Sequence, residues 1–172
     1  MSGLTLSPLI GKSYSSIYGQ TAPSNKVKVA LIGCRSMGYG DLNTFLDYPE
    51  TECVALCDVD DEWLNKRAAD VEKKTGKKVP HLYKDWRRVI DNKDVDVVII
   101  GTPDHWHCLP TVWACQAGKD VYVEKPLSNT IEECNLMEKA ARKYNRIVQV
   151  GQWQRSDPHW QDAMQFVHSG HQ

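Results

Sequence analysis

Residues 26–38 read KVKVALIGCRSMG, and residues 54–60 read VALCDVD. The first stretch is a β-branched apolar run that stops at Gly33, turns, and passes through Gly38 into a segment with apolar residues at Leu42, Phe45 and Leu46. Strand, glycine turn and helix in that order open a nucleotide-binding βαβ unit. The glycines allow a tight turn, and the free amides at the helix N-terminus face a pyrophosphate. The second stretch ends in Asp58, twenty positions after Gly38. A carboxylate there hydrogen-bonds adenosine ribose hydroxyls and repels a 2′-phosphate. The middle glycine of the usual turn is replaced by Arg35, so the candidate phosphate turn comprises Gly33, Arg35, Ser36, Met37 and Gly38. Arg35 either displaces a phosphate slightly or points away and supplies a cation. Each feature has a plainer reading, a glycine turn of any α/β protein and a carboxylate at a helix N-terminus. Together they favour a dinucleotide.

Working outward, short apolar runs recur at residues 53–57, 97–100, 121–123 and 147–150, with a weaker one at 81–83. Runs of this kind suit strands buried on both faces of a parallel sheet. Between them lie helical patterns: Leu64, Ala68 and Val71 after Asp60 and Asp61, and Leu136, Met137, Ala140 and Tyr144 after a Thr130–Glu133 capping box. A third is Trp160, Ala163, Met164 and Val167 after Asp157 and Pro158. The pattern predicts a doubly wound α/β domain of about six parallel strands, a Rossmann fold, over residues 26–172. It is preceded by a Ser-, Gly- and Tyr-rich arm or leader remnant at residues 1–25.

Composition agrees with a folded domain. The 172 residues are 41% hydrophobic and 25% charged, with 21 basic and 22 acidic side chains. That balance excludes disorder and a global positive field, and the apolar runs are too short for a helical membrane span, so neither nucleic acid nor membrane is an expected partner. The basic set from Lys66 to Lys78 is interrupted by Asp70 and Glu72 and reads as a solvated helix face. Six scattered cysteines without a C-x-x-C pair read as buried free thiols. His105, His107 and Cys108 crowd together, but no second ligand pair follows at zinc spacing, and His159, His168 and His171 are weaker candidates; no metal is expected. Localisation is open between cytoplasm and, with an export leader, periplasm.

Two further strands end in chemistry-bearing segments, GTPDHWH at residues 101–107 and VEKP at residues 123–126. Both fall at the C-terminal edge of a parallel sheet, where open α/β folds bind ligands. Lys125 is expected at a partly desolvated edge, where burial beside a cationic ring would lower its pKa toward that of a useful base. Its plainer reading is a surface lysine paired with Glu124.

These segments, with AGKDVYVEKPLS at residues 117–128 and VQVGQWQRSDP at residues 148–158, resemble the N-terminal half of the glucose-fructose oxidoreductase and inositol dehydrogenase family, Gfo/Idh/MocA. The Thr-Pro-x-x-x-His element followed by Glu-Lys-Pro is the specific part. The resemblance implies an NAD(P)-dependent oxidoreductase acting on sugars, cyclitols or related polyols, with NAD favoured over NADP. By that analogy Gly33, Gly38, Asp58, Thr102, Pro103, His105, His107 and Gln152 line the cofactor. Glu124 and Lys125 lie against the nicotinamide, and Lys125 manages the proton of the substrate hydroxyl. Trp153 and Arg155 face the substrate, with simple packing as the plainer reading of Trp153. The family continues into an open-sheet domain that supplies the substrate pocket, a further catalytic histidine and the homo-oligomer interface. This chain is therefore expected to be an isolated cofactor domain without turnover of its own. Two alternatives stay open, a redox-neutral glycosidase that oxidises its sugar transiently with retained NAD, and a non-catalytic cofactor-binding fragment.

Overall fold

The computed structural model describes residues 25–170, so the arm read at residues 1–25 (Asn25 apart) and His171 lie outside the described residues. Six strands, β1 (Val27–Ile32), β2 (Thr51–Cys57), β3 (His81–Tyr83), β4 (Val97–Ile100), β5 (Asp120–Val123) and β6 (Val148–Val150), form one sheet in the order β3-β2-β1-β4-β5-β6. Every pairing is parallel. The helices are α1 (Ser36–Phe45), α2 (Asp61–Thr75), α3 (Trp86–Asp91), α4 (Cys108–Gln116), α5 (Ile131–Lys143) and α6 (Pro158–His168). The chain runs outward from β1 to β3, returns across α3 to β4 beside β1, then runs outward again. The strand order therefore reverses between β1 and β4, and a crevice opens there at the strands' C-terminal ends.

Alternation along β1 divides the core. Val29 and Leu31 pack with Leu42 of α1 and with Leu64 and Val71 of α2. Ala30 and Ile32 pack on the other face with Ile90 of α3, Ala114 of α4 and Met137 of α5. Because both faces are covered, β1, β2 and β4 read as unbroken apolar runs. The edge strands β3 and β6 depart from that expectation and are only partly buried, having one neighbour each.

Local signals set most helix ends. Asp60 accepts the Glu62 amide at 3.0 Å and opens α2, which Gly76 closes in the left-handed region at φ 72°. Thr130 accepts the Glu133 amide at 3.2 Å, but the Glu133 carboxylate bonds Ser128 instead of returning to Thr130, so only half of the expected capping box forms. Asp157 and Pro158 start α6 as read, yet its apolar residues do not reach a core: Trp160, Met164 and Val167 are all exposed. Helices α3 and α4 carry no periodic signal. One is only six residues long, and the other buries residues on most sides, leaving no polar face for contrast.

The lysine-rich face of α2 and the turn after it are solvated as expected: Lys66, Lys73, Lys74, Lys77 and Lys78 are exposed and only Arg67 is half-buried. Lys74 binds Asp47 at 2.6 Å and the Asn43 carbonyl of α1 at 2.7 Å, and Arg67 binds Asp70 at 2.7 Å, so these two cations also tie α2 to α1 and to itself. All six cysteines are free; five are buried and Cys134 is half-buried. Burial pushes the Cys53 and Cys57 thiols up to about 12, which leaves them packing groups instead of nucleophiles.

Candidate functional site

Three glycines meet where β1 and β4 end. Gly33 has φ 89°, and a Cβ on it would lie 2.7 Å from the Gly101 carbonyl and the Thr102 amide. A Cβ on Gly38 would overlap the Gly33 carbonyl oxygen, and one on Gly101 would overlap the Gly38 backbone. Helix α1 thus lies backbone to backbone against the two central strands. Gly101, which the motif reading did not single out as a site residue, completes this contact; its place at the end of an apolar strand was the available signal.

The turn is aimed by Asp58. One of its carboxylate oxygens accepts the Cys34 amide at 2.7 Å and the other accepts the Asp60 amide at 2.9 Å. The carboxylate is therefore fixed between the β1 and β2 ends with lone pairs still available. The α2 N-cap is Asp60, and Asp58 stands just before it, a carboxylate near the helix N-terminus that also reaches across to the β1 turn. In contrast with α2, α3, α5 and α6, helix α1 has no side-chain cap. Helix α4 also lacks one, but only the α1 start stands at the glycine turn, where uncapped amides suit an anion. Ser36 sits at this start with φ 33°, and Met37 beside it is largely exposed.

Arg35 is turned aside. Its guanidinium pairs with Asp60 and lies 5.4 Å from the centre of the Trp63 ring. The cation is thus matched by a carboxylate next to Asp58, which weakens its value as a partner for a 2′-phosphate. Arg35 also holds the Asp60 carboxyl below the usual range.

A cleft of roughly 690 Å³ runs from this turn toward β4, lined by Gly33, Arg35, Asp58, Asp60, Gly101, Thr102, Pro103 and His105, with Trp86 and Trp106 on its far wall. Gly38 lies beneath the turn, outside the lining. Glu124, Lys125, Gln152, Trp153 and Arg155 are outside it too, arranged around the ends of β5 and β6.

His107 takes a different place from the one expected. It is 1% exposed and lies beneath the surface, with Nδ1 bonded to the Pro126 carbonyl and Nε2 to the Thr102 carbonyl, each at 2.8 Å. It binds the two specific motifs to each other, so it positions both turns instead of lining a cleft. The crowding of His105, His107 and Cys108 is explained by this bridge and by the entry into α4. Among the described residues no three His, Cys, Asp or Glu side chains group as metal ligands.

Lys125 is exposed, against the expected partial desolvation, because it follows β5 on a turn that no other described residue covers. Nor does it pair with Glu124. That side chain is 4% exposed and turned inward, with Oε2 accepting the Lys125 amide at 3.2 Å. Gln152 and Arg155 lie on the short turn after β6, with 3.4 Å between the Arg155 guanidinium and the Gln152 amide oxygen, and Trp153 beside them is exposed.

The residues present fit a dinucleotide: a glycine-only crossing, an uncapped helix N-terminus, a fixed carboxylate at the end of β2 and a cleft between them. Comparison with known proteins agrees. The model of an oxidoreductase family described as having an NAD-binding Rossmann fold matches residues 27–152. A glycosyl hydrolase family 109 protein from Shewanella sp. strain ANA-3 is 31% identical over 149 residues, which are 83% of this chain and 32% of that protein. The solved structure of an NAD-binding oxidoreductase from Klebsiella pneumoniae superposes with a TM-score of 0.69 at 29% identity, covering 84% of this chain and 39% of the other. Myo-inositol 2-dehydrogenase from Lactobacillus plantarum gives 0.72 at 26% identity, covering 84% and 42%. The chain thus spans about a third of the length of the curated relative and about two fifths of these structures.

Proposed function

The chain belongs to the Gfo/Idh/MocA family of NAD-binding oxidoreductases, and from that premise we propose that it is the cofactor domain of an enzyme that moves a hydride between a secondary carbinol of a sugar, cyclitol or related polyol and a nicotinamide. We take residues 26–172 as that domain.

The observation that carries this reading is the placing of the glycine crossing, Asp58 and the Glu-Lys-Pro turn along one edge of the sheet. The amides of Arg35, Ser36 and Met37 hold the pyrophosphate over Gly33 and Gly38. Asp58 takes the adenosine ribose hydroxyls, and Thr102, Pro103 and His105 form the wall opposite. Bound NAD supplies the hydride acceptor. Lys125, exposed at the adjacent turn, takes the hydroxyl proton, and Gln152, Trp153 and Arg155 border the space where a polyol sits. Asp58 together with the Arg35–Asp60 pair selects NAD over NADP. Such proteins extend well beyond the span matched here, so we take the chain alone to bind cofactor without turnover, and oligomerisation to belong to the complete protein.

Calorimetric titration with NADH and, separately, NADPH tests this reading. Preferential NADH binding is expected. Binding of neither by a folded chain overturns it.

One observation favours a second reading: a relative at 31% identity carries a glycosyl hydrolase name. In a redox-neutral glycosidase the same residues would hold NAD through purification and release an aglycone without net NADH. Stoichiometric NADH from the complete protein would instead select the dehydrogenase.

A further inference from the structure

Behind the Glu-Lys-Pro turn lies a group of side chains that the reading above does not use. Asp41 projects from α1, the helix that begins at the phosphate turn. Its carboxyl neighbours that of Glu124, the buried residue that follows β5 and precedes Lys125, closely enough to feel its charge. Each carboxyl has one fully buried oxygen, Asp41 Oδ2 and Glu124 Oε1, with no donor in reach. Tyr122 of β5 completes the group, its ring set edge-on against Phe45 of α1 with the centroids 5.6 Å apart. Gly151, after β6, leaves the room: a Cβ there would overlap Glu124 Oε1 and lie 3.0 Å from the Tyr122 hydroxyl. The titratable groups facing Asp41 are Glu124 and Tyr122, and Gly151 brings no charge from the β6 side.

Two carboxylates facing each other are acceptors only, so half-buried Asp41 and buried Glu124 would each leave a buried oxygen unsatisfied and repel the other. One proton between them removes both costs, since a protonated carboxyl donates to its neighbour. We propose that Asp41 and Glu124 share one proton, and that this proton clamps α1 to the Glu-Lys-Pro turn and so sets the relative position of the two ends of the cofactor site. The pair is a positioning device. Losing the proton pushes α1 and the turn apart and weakens cofactor binding.

The direction with pH follows. Burial, then the neighbouring Glu124 carboxyl, push Asp41 up to about 7, and burial with both carboxyls pushes Tyr122 up to about 12. Asp41 therefore holds its proton below neutral pH and loses it as pH rises through about 7, while Tyr122 stays neutral throughout. Cofactor affinity that depends on the clamp falls over the same interval.

This inference rests on the proposed cofactor role, and the test separates the two. NADH affinity of the full chain is titrated from well below to well above neutral pH for the native sequence, Asp41→Asn and Glu124→Gln. Each amide can donate to the remaining carboxylate at any pH, which makes the clamp permanent. Infrared difference spectra of the cofactor-free chain follow the carbonyl stretch of a protonated carboxyl. The expected result is a fall of about tenfold in native affinity as pH rises through neutral, equivalent to one shared proton worth about 1.4 kcal/mol. It should be flat in both variants, and a protonated-carboxyl band should disappear over the same range in the native chain and be missing from Asp41→Asn. NADH binding without that pH dependence, or with one that survives both substitutions, overturns the clamp alone, as does absence of the band near neutral pH. No NADH binding at any pH, with the band present, overturns the cofactor reading and the clamp's role with it.

Discussion

The two ends of the candidate site are built differently. At the β1–β2 end every group that would meet an adenosine diphosphate is fixed: glycine backbones touch, Asp58 is held by two amides, and Arg35 is held by Asp60 and Trp63. At the β5–β6 end the supports are buried but the surface is open. His107 and Glu124 anchor the turn from beneath, while Lys125, Trp153 and the apolar residues of α6 face outward. A dinucleotide-binding end can be completed by one sheet and its helices. Under the proposed function, the other end also admits a substrate, and its side chains are left uncovered by this domain.

The largest effect expected from breaking this contrast is at Gly101 or Gly38. Either residue changed to Ala forces backbone apart at the strand crossing, and a loss of at least about 3 kcal/mol, measured by urea denaturation, is expected. An effect below about 1 kcal/mol would mean the crossing is loosely packed. Next is Asp58→Ala, which removes a charged acceptor from two backbone amides and from the ribose. NADH affinity should fall by about 10- to 100-fold by calorimetry, hydrogen bonds to charged groups being worth about 1.5–3 kcal/mol. An unchanged affinity would remove the ribose role.

His107→Ala sharpens the comparison from the other end. It removes the imidazole that bridges the Thr102 and Pro126 carbonyls, and about 2 kcal/mol of stability should be lost. The motion it releases should appear in hydrogen exchange near the Glu-Lys-Pro turn while exchange near Gly33 is unaffected. Smallest is a double change on α6, Trp160→Ser with Met164→Ser. These side chains pack against little, so stability of this chain should move by no more than about 0.5 kcal/mol. A larger loss would show that α6 is held by contacts in solution that its exposure hides.

Much of the fold was legible because it depends on local chemistry. The run from Val27 to Ile32, the glycine turn and Asp58 each declare themselves within a few residues, as do the caps at Asp60, Thr130 and Asp157. What was not legible depends on long-range neighbours. Nothing in HWHC says that His107 will lie between the carbonyls of positions 102 and 126. The apolar spacing of α6 is that of a packed helix, and only the structure shows it uncovered.

The sequence by itself determined the βαβ rhythm, the glycine turn and the family, since periodicity, turn chemistry and short motifs are written in consecutive residues. Only the tertiary structure decided which side chains face the cleft and which support it. It turned Arg35 toward Asp60, buried His107 and Glu124, left Lys125 exposed, and set Asp41 against Glu124 across residues far apart in the chain. The reason is physical: burial and hydrogen-bond partnership are properties of the neighbours a side chain acquires on packing, and those neighbours come from other strands and helices.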